Sequence, residues 1–148
     1  MKILDRHPFT TRPTILDVQG DLIDIRRNQI VVWLSIGDAR RRFPALVDTG
    51  RSHNMSISSS QLQRWSGETL QAIGDVNIGK EVVVQYAAEV HVRRSVKGIV
   101  SGTYPPEMPQ GISVIDDHSP AAPRVPLLGL RTLISNKLRL IVDGGGRA

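Results

Sequence analysis

The sequence predicts an all-β domain built from many short strands with one or two short helices, and three observations carry that expectation. Its apolar runs are brief, rich in Val and Ile, and bounded by Gly, Pro, Asn and Asp, as half-buried strands and their turns are. Two stretches alone carry a helical signature, near 58–67 and just after Gly129. Strands do not alternate with long amphipathic helices, so the repeating unit of a parallel α/β fold is missing.

Taken in order, residues 1–28 form an N-terminal arm with edge strands: 1–13 read as loose chain, and "TILDVQGDLIDIRRN" as apolar pieces broken by Gly20. Residues 29–50 read as a β-hairpin. Val31, Val32, Trp33 and Ile36 favour strand and Gly37-Asp38 opens the turn. The chain returns over Phe43 to Val47, where Pro44 predicts a bulge or an edge. "NMSIS" continues as strand. In 58–67 the serines offer an N-cap, Leu62 and Trp65 share a face, and Gly67 stops the helix. Residues 72–94 read as a second hairpin with Gly74 and Gly79 at its centre. "GTYPPEMPQG" (102–111) is a loop or insertion, "ISVID" a strand and "HSPAAPRVP" another loop. "LLGLRTLISNKLRLIVDG" closes the domain as strand, short helix and final strand, and 144–148 form a frayed tail.

Composition excludes several classes. The 148 residues suffice for one domain with a core. There is no cysteine, which removes disulfides, thiol catalysis and thiolate metal sites. Together with an N-terminus too polar for a signal peptide, it points to the cytoplasm. The four His are widely spaced without a ligand motif, and no Gly-rich phosphate loop follows a strand, so neither a metal nor a cofactor is expected. The net charge of +5 is scattered apart from Arg40-Arg41-Arg42, and the chain has only two each of Trp, Tyr and Phe. Nucleic-acid binding is therefore not expected, nor is a membrane partner, since no apolar run reaches spanning length.

The stretch that needs chemistry is "ALVDTGRSHNMSIS", where an apolar strand runs into Asp48-Thr49-Gly50. Most such triplets are turns. Here the triplet is followed by "SISSSQLQRW", a strand leading into a helix, and about 80 residues later by "VPLLGLRTLISNKLRLIVDG". In this order the three blocks resemble the retropepsin-like aspartic proteases, the single-domain form of retroviruses and many bacterial proteins. The likeness covers 29–143.

The resemblance implies an acid-protease β-barrel with one or two short helices, active as a two-fold homodimer on a peptide or protein substrate. Peptide hydrolysis with two carboxylates uses one ionised group to take a proton from water and one protonated group to donate to the scissile carbonyl. One Asp-Thr-Gly per chain then means that Asp48 must come from each of two chains. Thr49 would bond the partner's loop backbone. Gly50 would leave room for the loops and for backbone angles that a Cβ forbids. Leu128 and Gly129 would stiffen the loop from beneath, and residues 138–142 would interleave with the partner. The flap over the cleft would be "IGDVNIGKE", that is Ile73, Gly74, Asp75, Val76, Asn77, Ile78 and Gly79 leading into Lys80-Glu81, with the two glycines letting its tip bend.

The sequence departs from the family pattern just after the triplet. Arg51 replaces a small residue and would favour an acidic substrate side chain, with Ser52 beside it. Ser52 and Leu130 also stand near the places where viral members carry an ion pair, so that pair is expected to be missing. Three readings are open: an aspartic endopeptidase, a catalytically silent relative that binds peptide or protein, and a basic β-domain for nucleic acid. The order and spacing of the motifs favour the first, and Arg51 is the feature that favours the second over it.

Overall fold

Several of these short runs pair with their neighbours in sequence as hairpins, and distant strands join the hairpins into one sheet. The structure is a computed structural model that describes residues 14–16, 22–24, 29–37, 42–50, 53–66, 69–96, 99–138 and 140. It is mostly β, with two short helices. In chain order the strands are β1 (Thr14–Leu16), β2 (Leu22–Asp24), β3 (Val31–Ile36), β4 (Phe43–Asp48) and β5 (Met55–Ser58), followed by helix α1 (Ser59–Trp65). Then come β6 (Gln71–Ile78), β7 (Glu81–Ala87), β8 (Val90–Val96), β9 (Ile99–Tyr104), β10 (Ile112–Ile115), β11 (Leu127–Gly129) and helix α2 (Leu130–Ser135). β1 and β2 pair with each other, and the other nine strands form one sheet in the order β6-β7-β10-β5-β11-β4-β3-β8-β9.

The stretch 72–94, expected as one hairpin, is divided between two. β6 and β7 form a hairpin, while β8 leaves it to pair with β3 and β9 at the other end of the sheet. Residues 102–104, expected as loop, complete β9.

β4 is the central strand of the site, and Pro44 sits in it without a bulge. The β3–β4 register is unbroken from Val31↔Leu46 to Leu34↔Phe43, so the expected bulge is absent. The reason is local geometry. The Leu46 N–H points away from β3 to the Pro126 carbonyl at 2.8 Å, whereas the Val47 N–H points to Ile30. Position 44 has the parity of 46, and β11 pairs with β4 only from Leu46 onward. The missing donor of Pro44 thus faces a side where β11 offers no acceptor, a local edge within a central strand.

The core lies against β3, β4, β5 and β10. Leu34, Ile36, Phe43, Met55, Ile57 and Ile112 are its most enclosed members. α1 is attached through Trp65, which stacks on Phe43 with ring centroids 5.3 Å apart and planes 9° from parallel. Its start is fixed by a capping box. Ser58 accepts from the Gln61 N–H and the Gln61 side chain accepts from the Ser58 N–H.

The first turn of α1 also donates to Asp117, from the Ser60 hydroxyl at 2.8 Å and the Ser60 N–H at 3.3 Å. The hydroxyl bond is the main reason that the Asp117 carboxyl lies below its ordinary value of 3.8. A lowered carboxyl stabilises the fold where it is ionised, and the contribution is lost as pH falls through the lowered value. Asp117 is fully exposed, so the effect is small. Asp117→Ala is expected to lower Tm at pH 7 by about 1–2 °C. Thermal melts should show the gap closing as the pH drops below 3.8.

Candidate active site

β4 ends at Asp48, and the chain turns sharply through Thr49 and Gly50. Asp48 is half-buried while Thr49 and Gly50 are exposed. The carboxylate is held in the turn by the Gly50 N–H, which donates to Asp48 Oδ1 at 3.0 Å. A Cβ at position 50 would lie 3.2 Å from that same oxygen, tighter than ordinary contact. Crowding is therefore what asks for glycine here. The backbone angle does not, because Gly50 is not among the residues with positive φ, which corrects half of the reason expected for it.

The frame beneath this turn is β11. It runs parallel to β4 with Leu128 opposite Val47 and Gly129 opposite Asp48. On its other side it runs antiparallel to β5, with Leu128 opposite Met55. The two strands that enter and leave the Asp48 turn therefore flank β11, and the connecting loop crosses its end. Two strand spacings, about 10 Å, are bridged this way. Leu128 is 4% exposed and belongs to the main core cluster, so the floor of the turn is packed hydrocarbon. The structure thus brings Asp48, Thr49, Gly50, Leu128 and Gly129 into one place.

Asn54 and Thr132 join them there, and neither was singled out by the sequence. Asn54 is buried and its carbonyl accepts from the Gly129 N–H at 2.7 Å and from the Thr132 hydroxyl at 3.0 Å. Its side-chain amide donates to the carbonyls of Pro109 and Gly111, the latter at 3.0 Å. These partners are far away in sequence and leave no periodic signal. The one local hint was a polar residue lying between a turn and an apolar strand.

The β6–β7 hairpin holds the residues proposed for the flap. Gly79 is at its tip with φ +62°, a conformation that favours glycine. Gly74 is not at the tip. It lies within β6 at an irregularity in the register between Ala72 and Gly74, where it can bend the hairpin nearer its base. Ile73, Asp75 and Asn77 are exposed and Val76 is half-buried, while Ile78 ends the strand. Across from them, Val82 and Val84 are exposed and Val83 and Gln85 buried, so one face of the hairpin is an uncovered aliphatic surface. β10 and β5 stand between β7 and β11 in the sheet.

Arg51 and Ser52 lie outside the described residues. Of the closing segment 138–142, Leu138 and Leu140 are described, and neither is in a strand. His91, expected on a strand surface, is half-buried on β8 with Nε2 3.1 Å from Glu89 Oε1. Among the described residues no cluster of His, Asp and Glu has the makings of a metal site, and no helix is long and apolar enough to cross a membrane.

The chain matches no protein-family model and no curated protein. Among solved structures it is similar to the EIAV protease complexed with the inhibitor HBY-793. The TM-score is 0.47 and the sequence identity 16%, over 77% of this chain and 93% of that one.

Proposed function

We propose that this protein is an aspartic endopeptidase of the retropepsin-like type, active as a homodimer in which Asp48 of each chain forms the catalytic pair. The observation that carries the reading is the Asp48 turn itself. An aspartate is held half-exposed at the end of a buried strand, its carboxylate oriented by the Gly50 N–H and its strand locked to β11 opposite Gly129. An ordinary surface turn has no need of such a floor.

In this reaction one Asp48 is ionised and accepts a proton from the attacking water. The other is protonated and donates its proton to the carbonyl oxygen as the tetrahedral carbon forms. Collapse then returns a proton to the leaving nitrogen and breaks the C–N bond, giving an acid and an amine. Two carboxylates so close share one proton because both cannot ionise cheaply. Thr49, exposed beside Asp48, bonds the partner's loop. The β6–β7 hairpin covers an extended substrate and contributes strand-like pairing from its edge strand β6, with Val82 and Val84 supplying apolar contact.

The test is incubation of the full chain with a mixed peptide library at several pH values, with and without pepstatin, alongside analytical ultracentrifugation. Pepstatin-sensitive cleavage that rises with the dimer fraction supports the reading. Full-rate cleavage by a strict monomer rules it out. A weak dimer remains compatible, because substrate binding drives association.

Arg51 adds an expectation about specificity. Arg51 follows Gly50 in the sequence, and a guanidinium there would pair with an acidic substrate side chain. Arg51→Ala is expected to reduce the preference for such peptides by roughly tenfold and to leave neutral peptides unaffected. A library profile unchanged by the substitution removes Arg51 from the substrate pocket. The same residue favours a second reading, a silent relative that binds peptides through this fold; cleavage by the native chain excludes it.

A further inference from the structure

Asn54 bonds to four backbone or side-chain groups of distant segments. Its position is six residues past Asp48 and it is 3% exposed. Its carbonyl holds Gly129 of β11 and Thr132 of α2, and its side-chain amide holds the carbonyls of Pro109 and Gly111. Gly129 is in turn the register partner of Asp48. One residue therefore joins the exit of the Asp48 loop, the floor strand, the following helix and the Pro-rich segment 105–111.

That segment is fastened at its other points too. The Asn136 side chain makes a two-way bond with the Glu107 backbone, Oδ1 accepting from the N–H and Nδ2 donating to the carbonyl, both at 2.7 Å. Arg131 donates to the Gln110 side chain. α2 thus grips one side of the segment and Asn54 the other. A loop tied at this many points behaves as a brace. The buried amide of Asn54 links it to the exit of the Asp48 loop, and replacing it would strand two carbonyls.

We propose that Asn54 is a positioning residue for Asp48, and that segment 105–111 is the brace through which it works. The proposal rests on the reading of Asp48 as the catalytic carboxylate. Asn54 is buried, so its part is to position and not to contact substrate. It fixes where the Asp48 strand ends, by holding Gly129 from one side while segment 105–111 and α2 hold Asn54 from the other.

The test uses Asn54→Asp, which keeps the shape but replaces a donor by an acceptor facing two carbonyls, and Thr132→Val, which deletes only the hydroxyl bond to the Asn54 carbonyl. In the full chain, NMR follows the Asp48 side-chain carboxyl carbon and the amides of Gly50, Gly111 and Gly129, and steady-state kinetics follow a cleaved peptide. The expected result for Asn54→Asp is displacement of the Asp48 and Gly50 signals together with that of Gly111. It should be accompanied by a fall in kcat of roughly tenfold or more with KM within about twofold of wild type. Thr132→Val should move the Asp48 and Gly129 signals in the same sense by less, and it decides the matter if Asn54→Asp fails to fold. A residue that merely stabilises the segment would move Gly111 and lower Tm while leaving the Asp48 and Gly50 signals and kcat in place, which would overturn the proposal. If the native chain cleaves nothing, the catalytic reading fails, and the Asp48 and Gly50 signals still decide whether Asn54 positions the turn.

Discussion

Asp48→Asn is expected to reduce peptide cleavage to background, a loss of about three orders of magnitude or more, while the fold stays as it is. The amide has nearly the shape of the carboxylate, and its oxygen can still accept the bond from the Gly50 N–H now made at 3.0 Å to Asp48 Oδ1. It cannot, however, take a proton from water and give it back. Because Asp48 is only half-buried, its replacement leaves no cavity and strands no buried partner, so stability should change by less than about 1 kcal/mol. In the proposed dimer two amides would also repel less than two carboxylates, so sedimentation should show an association at least as tight as wild type. The measurements are peptide cleavage, circular dichroism and ultracentrifugation on one preparation. Cleavage that survives the substitution would remove the assignment of Asp48.

The second large effect is on folding, and it falls on a residue outside the expected site. Gly111 has φ +72° and follows Gln110, itself at φ +68°. The Gly111 N–H closes the turn on the Met108 carbonyl at 2.8 Å. Pro109 and a left-handed residue after it are what a type II turn requires at its two central positions. A Cβ on Gly111 would lie 2.1 Å from the Tyr86 carbonyl oxygen and 2.9 Å from the end of Ile73. The Ile73 side chain can yield, but the Tyr86 carbonyl is backbone of β7. Gly111→Ala therefore combines left-handed strain with a forced shift of β10 against β7, where Ile112 pairs with Tyr86. A destabilisation of about 2–4 kcal/mol is expected, read as a drop in the urea midpoint. A neighbouring substitution without the clash, Gln110→Gly, is the control. It relieves a left-handed φ while giving up the bond from Arg131 to the Gln110 side chain, so its net effect should be well below that of Gly111→Ala. Equal stability of Gly111→Ala and wild type would mean that β10 can move away from the Tyr86 carbonyl at no cost.

The parts of this molecule that could be read in advance are those whose cause is local. The strand-turn of "ALVDTG", the Ser58 cap and Trp65 face of α1, and the breaks around Pro105–Gly111 all follow from residues a few positions apart. What could not be read depends on pairing between distant segments. Of the bulge or edge expected at Pro44 it is the edge that forms, and what decides between them is β11, which comes from the far end of the chain and starts pairing two residues later. The single hairpin over 72–94 divided because β3 and β9 compete for its second half. Asn54, Thr132 and Asn136 bond backbone groups of remote loops or helices through side chains that are unremarkable in sequence. The Asp48 turn was visible. The brace that holds it was not.

The parallel pairing of β4 with β11 also sets when this site can come into being. Asp48 lies in the first third of the chain, and Gly129, which completes its frame, lies near the end. β5 and β10 repeat the same long-range parallel arrangement. Contacts so distant in sequence repay the entropy of loop closure only late in folding. During synthesis, a nascent chain can lay down β3 and β4 and expose Asp48 long before residues 127–135 leave the ribosome. Until they do, the strand that ends in Asp48 has neither β11 beside it nor Asn54 and Thr132 locked behind it. A growing polypeptide therefore carries the carboxylate without its frame, and the frame arrives only when nearly all of the domain has been made. This order of events means that the Asp48 turn takes its final shape only after its own chain has folded.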